Sequence, residues 1–167
     1  IYTGEVFANL NIADYYATKY EFETAFEYLN VALTKAERYN MPLEKFILLS
    51  FLTEVSLERN SFSDAFNYFQ KLELDVKNNP NKGFDIGEYY QTCARLFQAL
   101  GNFEEADKYN QKVLQFHNEH ENNNKFTATV QVLINQLRQS DKSIRLFLTE
   151  QMMKMTDKIT NKSFIIE

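Results

Sequence analysis

The sequence predicts an all-α chain of antiparallel helix pairs, about three repeated units followed by C-terminal capping helices. Breakers are scarce: four Gly and two Pro in 167 residues are too few for a strand-and-turn architecture of many short hairpins. One segment recurs three times, as YEFETAFEY from Tyr20 to Tyr28, NSFSDAFNY from Asn60 to Tyr68 and GNFEEADKY from Gly101 to Tyr109. Phe22, Phe62 and Phe103 stand at steps of 40 and 41, and so do Ala25, Ala65 and Ala106, then Tyr28, Tyr68 and Tyr109. Three columns in one register mark a repeat array. Apolar residues on both flanks of each segment follow the helical period.

The first unit, about residues 1–40, opens on Ile12, Ala13 and Tyr16, then passes the recurring segment into Ala25, Tyr28, Leu29, Ala32 and Leu33. That i, i+3, i+4, i+7, i+8 order puts one apolar stripe on a helix. The second unit, about 41–81, begins at Pro42, which suits a first helical turn because its missing N–H would have no helical partner there. Leu48, Leu49, Leu52 and Val55 mark its first helix, and Ala65, Phe66, Phe69 and Leu72 its second. Residues 78–83, rich in Asn with Pro80 and Gly83, read as a loop. In the third unit, about 82–121, Tyr90, Cys93, Ala94 and Phe97 precede the turn, and Ala106, Tyr109, Val113 and Leu114 follow it. Asn60 and Gly101 sit where a left-handed residue ends a helix, and Ser61 or Ser63 and Asn102 can cap the next one.

Small residues at Ala13, Ala25, Ala65, Ala94 and Ala106 would let paired helices approach closely, with Thr53 in the equivalent place of the second unit. Phe22, Phe62 and Phe103 are expected to wedge each turn against its neighbour. After a polar connector at 118–124, Phe126, Val130, Leu133 and Leu137 predict a seventh helix. Ser140 and Asp141 would cap an eighth, with Ile144, Phe147, Leu148, Met152, Met155 and Ile159 on one face. Residues 122–167 are accordingly read as capping helices of the same domain, since terminal units of stacked proteins are atypical where one side faces water.

The small residue on each helix, its aromatic or aliphatic neighbours and the Gly or Asn at the turn resemble the tetratricopeptide repeat family, over roughly residues 5–118. The resemblance implies a right-handed superhelix of helix pairs. Two departures stand out. The units of 40 and 41 residues exceed the usual 34 of that family, so helices or connections must be longer. The family's proline after the second helix is absent at the end of unit one.

Composition limits the partners. With 44% hydrophobic and 15% aromatic residues the chain can bury a sizeable core. A net charge of −5 with no run of four Lys or Arg argues against nucleic acid and against an anionic membrane surface. No stretch approaches 18 consecutive apolar residues. Cys93 is the single cysteine, which fits a reducing compartment. The start at Ile1, with neither Met nor a leader, leads us to expect a domain excised from a longer chain, acting in the cytoplasm.

No catalytic constellation is visible, and the expected protein is not an enzyme and needs no cofactor. His117 and His120, three apart and beside Glu119 and Glu121, read as solvated surface residues more readily than as zinc ligands. Cys93 lies on an apolar helix face as a small core residue. Gly83 and Gly87 match no phosphate-cradling spacing. Asn161 and Ser163 match a glycosylation acceptor with no secretion signal to support it, and Met152, Met153 and Met155 read as core filler or a capping surface.

In stacked helix pairs the first helix of each unit lines the concave face. That places Leu10, Asp14 and Thr18 of unit one, Ser50, Glu54 and Glu58 of unit two, and Gln91, Arg95 and Gln98 of unit three on a partner-binding surface. Tetratricopeptide proteins that clamp acidic C-termini carry Lys, Arg and Asn on this face. Here Leu10, Asp14 and Glu54 occupy comparable places, where the two carboxylates would repel a terminal carboxylate, so a basic or mixed-charge protein or peptide fits better. The expected function is a non-catalytic scaffold for such a partner. The alternative is a peptide-responsive sensor domain of a larger signalling or transcriptional regulator, since units near 40 residues also resemble those of bacterial peptide-pheromone receptors.

Overall fold

The computed structural model describes residues 2–119; the two predicted capping helices, the Met-rich face, the glycosylation-like triplet and the side chains of His117 and His120 lie outside it. Six helices follow one another: α1 (Tyr2–Thr18), α2 (Phe22–Arg38), α3 (Pro42–Glu58), α4 (Phe62–Asn78), α5 (Ile86–Ala99) and α6 (Phe103–Glu119). There is no strand among the described residues. The helices pack as the pairs α1 with α2, α3 with α4, and α5 with α6.

The repeat length now has a physical account. Two 17-residue helices and two three-residue turns make the 40-residue step, so the length beyond the family's 34 goes into helix. The third unit keeps nearly the same step by a different division. The segment 79–85 is longer than the other connections, and α5 is correspondingly shorter, at 14 residues.

Four of the five turns share one geometry. Tyr20, Asn40, Asn60 and Gly101 each adopt a left-handed backbone, with φ of 62°, 52°, 57° and 74°. At each, two N–H groups reach back to carbonyls of the helix just ended. Tyr20 and Glu21 donate to Ala17 and Tyr16, Asn40 and Met41 to Glu37 and Ala36, Asn60 and Ser61 to Leu57 and Ser56, and Gly101 and Asn102 to Gln98 and Phe97. Bonds to the carbonyls five and three residues back define the Schellman motif, which satisfies acceptors the helix end would leave open. A helix stopped this way re-emerges antiparallel after three residues. At the end of α4 the pattern fails: Asn79 donates to the carbonyl of Asp75 through both backbone and side chain, and the first left-handed residue is Gly83.

Capping follows the sequence in part. Pro42 opens α3, and the Asn102 side chain accepts from the Glu105 N–H at 3.3 Å. Ser61 precedes α4, but its hydroxyl donates to the Asp64 carboxylate at 2.8 Å instead of accepting from the backbone. Asp85, which the pattern did not single out, caps α5 by accepting from the Glu88 N–H at 3.1 Å.

The small residues behave as expected. Ala13, Ala25, Ala65 and Ala106 have no exposed surface, Ala94 has 3%, and Thr53 is fully buried with its hydroxyl donated to the Leu49 carbonyl at 2.8 Å. The Phe column departs from expectation. Phe22 packs partly buried against the core, whereas Phe62 and Phe103 are both 43% exposed.

The Tyr column divides in the same way. Tyr28 stacks on Tyr16 of its own pair at 5.8 Å, and Tyr109 stacks on Phe97 of its own at 5.6 Å. Forty residues beyond Tyr16 the chain has Ser56, so Tyr68 finds no aromatic partner on α3. It turns to the preceding pair: its ring meets Phe26 edge-on at 6.0 Å and its hydroxyl donates to Asn30 Oδ1 at 2.7 Å. Arg59 covers the Phe26 ring at 3.9 Å and pairs with Glu23 at 2.7 Å. A single serine thus redirects one column from packing within a unit to tying two units together.

Two measurements test these accounts. Tyr20 is a bulky side chain in a left-handed backbone and is 82% exposed. Tyr20→Asn is therefore expected to stabilise the fold by about 0.5–1 kcal/mol in urea unfolding, because Asn tolerates this region and little burial is lost. Ala65→Leu inserts volume where no exposed surface exists, and a destabilisation of about 1–3 kcal/mol is expected in the same assay; an unchanged midpoint would mean the helices are not in close contact there.

Candidate partner-binding groove

α3 and α5, the first helices of units two and three, lie side by side, and α1 touches α3 only lightly. α4 meets α5 over a shorter stretch than α2 meets α3, chiefly through Phe69, whose ring lies 6.4 Å from Tyr89 and 6.5 Å from Phe97 of α5. After the longer segment 79–85, α5 thus packs on both α3 and α4.

Towards the C-terminal ends of α3 and α5, Glu54, Leu57, Glu58, Arg95, Gln98, Ala99 and Phe103 surround a concavity of about 520 Å³. Four of the nine residues expected on the partner face, Glu54, Glu58, Arg95 and Gln98, come together here. Arg95 donates to the Glu54 carboxylate across the two helices, an ion pair linking neighbouring units. The other five are placed differently. Leu10, Asp14 and Thr18 lie on α1 outside this concavity, Leu10 partly buried and the other two exposed, with the Thr18 hydroxyl donated to the Tyr15 carbonyl at 2.7 Å. Gln91 is partly buried on α5, also outside it. Ser50 is 1% exposed, inside the helix stack and turned from solvent, because it sits one helical turn from the buried Phe46 stripe.

The concavity is short of positive charge. Burial pushes the Glu54 carboxyl up to about 7; Arg95 opposes the shift, while Glu88 and Glu58 add to it. Burial also raises Glu88, with Asp85 adding and Arg95 opposing. One guanidinium therefore serves three carboxylates, and the site would gain from a further cation.

A second concavity, of about 480 Å³, lies at the other end of the same two helices, lined by Leu43, Phe46, Ile47, Gly83, Phe84, Asp85 and Glu88. Phe84, carried in from the long segment, stacks on Phe46 with rings 4.9 Å apart. Leu43 is 45% and Ile47 43% exposed, the largest apolar exposures on α3. Sequence reasoning missed this end, since the outward face of α3 was read from Ser50, Glu54 and Glu58, all in its C-terminal half, while Leu43 and Ile47 read as core.

No cluster of three or more His, Cys, Asp or Glu able to hold a metal occurs among the described residues. Cys93 is buried, and desolvation pushes its thiol up to about 12, far from the range of a reactive thiolate. No described helix is long and apolar enough to cross a membrane.

Stacked antiparallel pairs, Schellman turns and buried alanines at repeat spacing define the class: an all-helical repeat fold similar to that of tetratricopeptide domains. The chain matches the crystal structure of the TPR domain of Arabidopsis FLU with a TM-score of 0.62, over 71% of this chain and 99% of that one, at 19% identity. At that identity the likeness is one of fold. No protein-family model matches the sequence, nor does any curated protein.

Glu54 leads to a pH prediction. Its folded value of about 7 lies above the ordinary 4.5, so between these values the folded state keeps a proton that the unfolded state has released. Stability contributed by this group is then present at low pH and falls as pH rises from about 4.5 to about 7. Glu54→Gln cannot ionise and is expected to flatten that decline in urea unfolding followed against pH. A slope equal to that of the wild type would show that Glu54 does not titrate in this range.

Proposed function

We propose that the chain is a non-catalytic scaffold that binds a basic or mixed-charge protein segment along the face formed by its first helices. The observation that carries this reading is the α3–α5 concavity, where Glu54, Glu58 and the nearby Glu88 outnumber Arg95. An arriving Lys or Arg would relieve the crowding of carboxylates, while an acidic segment would meet it. A helical-repeat scaffold of the tetratricopeptide kind is a fold often used in protein interactions, and an open groove between helices suits an extended or helical segment better than a reacting small molecule. Winding of the pairs into a right-handed superhelix and action in the cytoplasm, where a buried free thiol persists, go with this reading.

A second reading, a peptide-responsive domain of a larger regulator, draws on the unequal junctions. α2 and α3 share a longer contact than α4 and α5, and a ligand gripping both α3 and α5 would bias the less extensive junction.

Panning a random dodecapeptide library on the whole chain tests the first reading. Enriched peptides are expected to be rich in Lys and Arg, and Glu54→Lys is expected to weaken their binding by about tenfold in fluorescence anisotropy. Failure to enrich any peptide, or equal binding by Glu54→Lys and Arg95→Glu, would overturn it.

A further inference from the structure

Of the surfaces that the charged concavity does not explain, the apolar one at the opposite end of α3 and α5 has the most definite chemistry. Its floor is the Phe46–Phe84 stack, its sides are Leu43 and Ile47, and its rim carries Asp85 and Glu88. The α2–α3 junction is made by a three-residue turn, with Met41 packed against the core. The longer 79–85 segment instead carries Phe84 in against Phe46, beside Leu43 and Ile47, which stay exposed.

We propose that this is an anchor pit for one large aliphatic or aromatic side chain of a protein segment that also carries a Lys or Arg beside that residue. The proposal rests on the scaffold reading above and adds a specificity to it. Two features select this occupant. Leu43 and Ile47 remain nearly half exposed, so the pit is a shallow basin, whereas sites for small molecules bury most of their ligand. The acidic side chains stand only at the rim: Asp85 is held there by its cap bond to the Glu88 N–H, and Glu88 lies one turn along α5 facing Arg95 and the charged concavity. An apolar residue seated on Phe46 and Phe84 would bring a neighbouring cation against these carboxylates. The same segment, running on along the α3–α5 seam, would reach Glu54 and Glu58, so the two concavities read one ligand: an apolar anchor first, then basic residues.

An NMR titration of the whole 15N-labelled chain tests this. The probe is a Gly-Ser dodecapeptide with one central Leu flanked by two Lys, compared with versions in which Leu is replaced by Ala or both Lys by Glu. Amide shifts are expected at residues 43–47 and 83–88, with the Ala and the Glu versions each binding about tenfold more weakly. Ile47→Gln and, independently, Leu43→Gln are expected to weaken the Leu probe comparably, with helix content unchanged by circular dichroism. Shifts confined to the surroundings of Glu54 and Arg95, or equal binding of the Ala version, would overturn the pit and leave the scaffold reading standing. Shifts at the pit that Glu54→Lys leaves unchanged would support the pit and count against the charged groove. Saturation by N-acetyl-leucinamide as readily as by the probe, or the same shifts produced by raising the protein concentration alone, would overturn the peptide assignment in favour of a small apolar ligand or a second copy of the chain.

Discussion

Close approach of helices at alanine is the constraint from which the rest of this architecture follows. Ala13, Ala25, Ala65 and Ala106 have no surface left to water, and at such positions two helices come near enough for larger neighbours such as Leu29, Leu52 and Leu72 to interlock around them. Approach at that distance requires each helix to reverse sharply and in register. The left-handed residue at Tyr20, Asn60 and Gly101 does this, with its paired Schellman bonds. Close packing sets how near the helices lie, and the turn sets the direction from which they arrive.

With those two rules in force, small departures acquire large effects. Ser56 in place of an aromatic residue leaves Tyr68 without a partner in its own pair, and Tyr68 joins α4 to α2 through Phe26 and Asn30. Where the Schellman turn is missing after α4, the connection is longer, and α5 lies along α3 while meeting α4 through Phe69. Both concavities lie along that α3–α5 seam. The surface with the clearest binding chemistry therefore lies where the repeat is least regular, as expected where connections carry function on a rigid frame.

The seam also shows how one helix presents two chemistries. Down the outward side of α3, Leu43 and Ile47 give way to Glu54 and Glu58 within four turns. The positions one unit later are Glu88 and Arg95, so along the seam an apolar residue faces a carboxylate at one end and a carboxylate meets a guanidinium at the other. A ligand lying along it meets a graded surface, which favours one orientation over its reverse.

Much of this was legible in the chain. The columns of Phe, Ala and Tyr, the Pro at the start of α3 and the Asn and Gly at two turns are local or periodic features, and periodicity survives in a linear string because each helix buries its stripe at the same phase. Glu54, Glu58, Arg95 and Gln98 could be placed on one face for the same reason. Packing alone decided what spacing could not convey. Ser50 shares their phase, but its position near the Phe46 stripe turned it inward. Leu43 and Ile47 look like core among the apolar residues that open α3, yet they stand 45% and 43% exposed. Tyr20 gives no sign of its left-handed backbone, since nothing in a tyrosine favours it and only the closure of α1 on α2 imposes it. The sequence by itself determined the helices, their pairing and their register, which depend on residues near one another along the chain. The tertiary structure decided which parts of those faces remain open, because that depends on how far neighbouring units lean together.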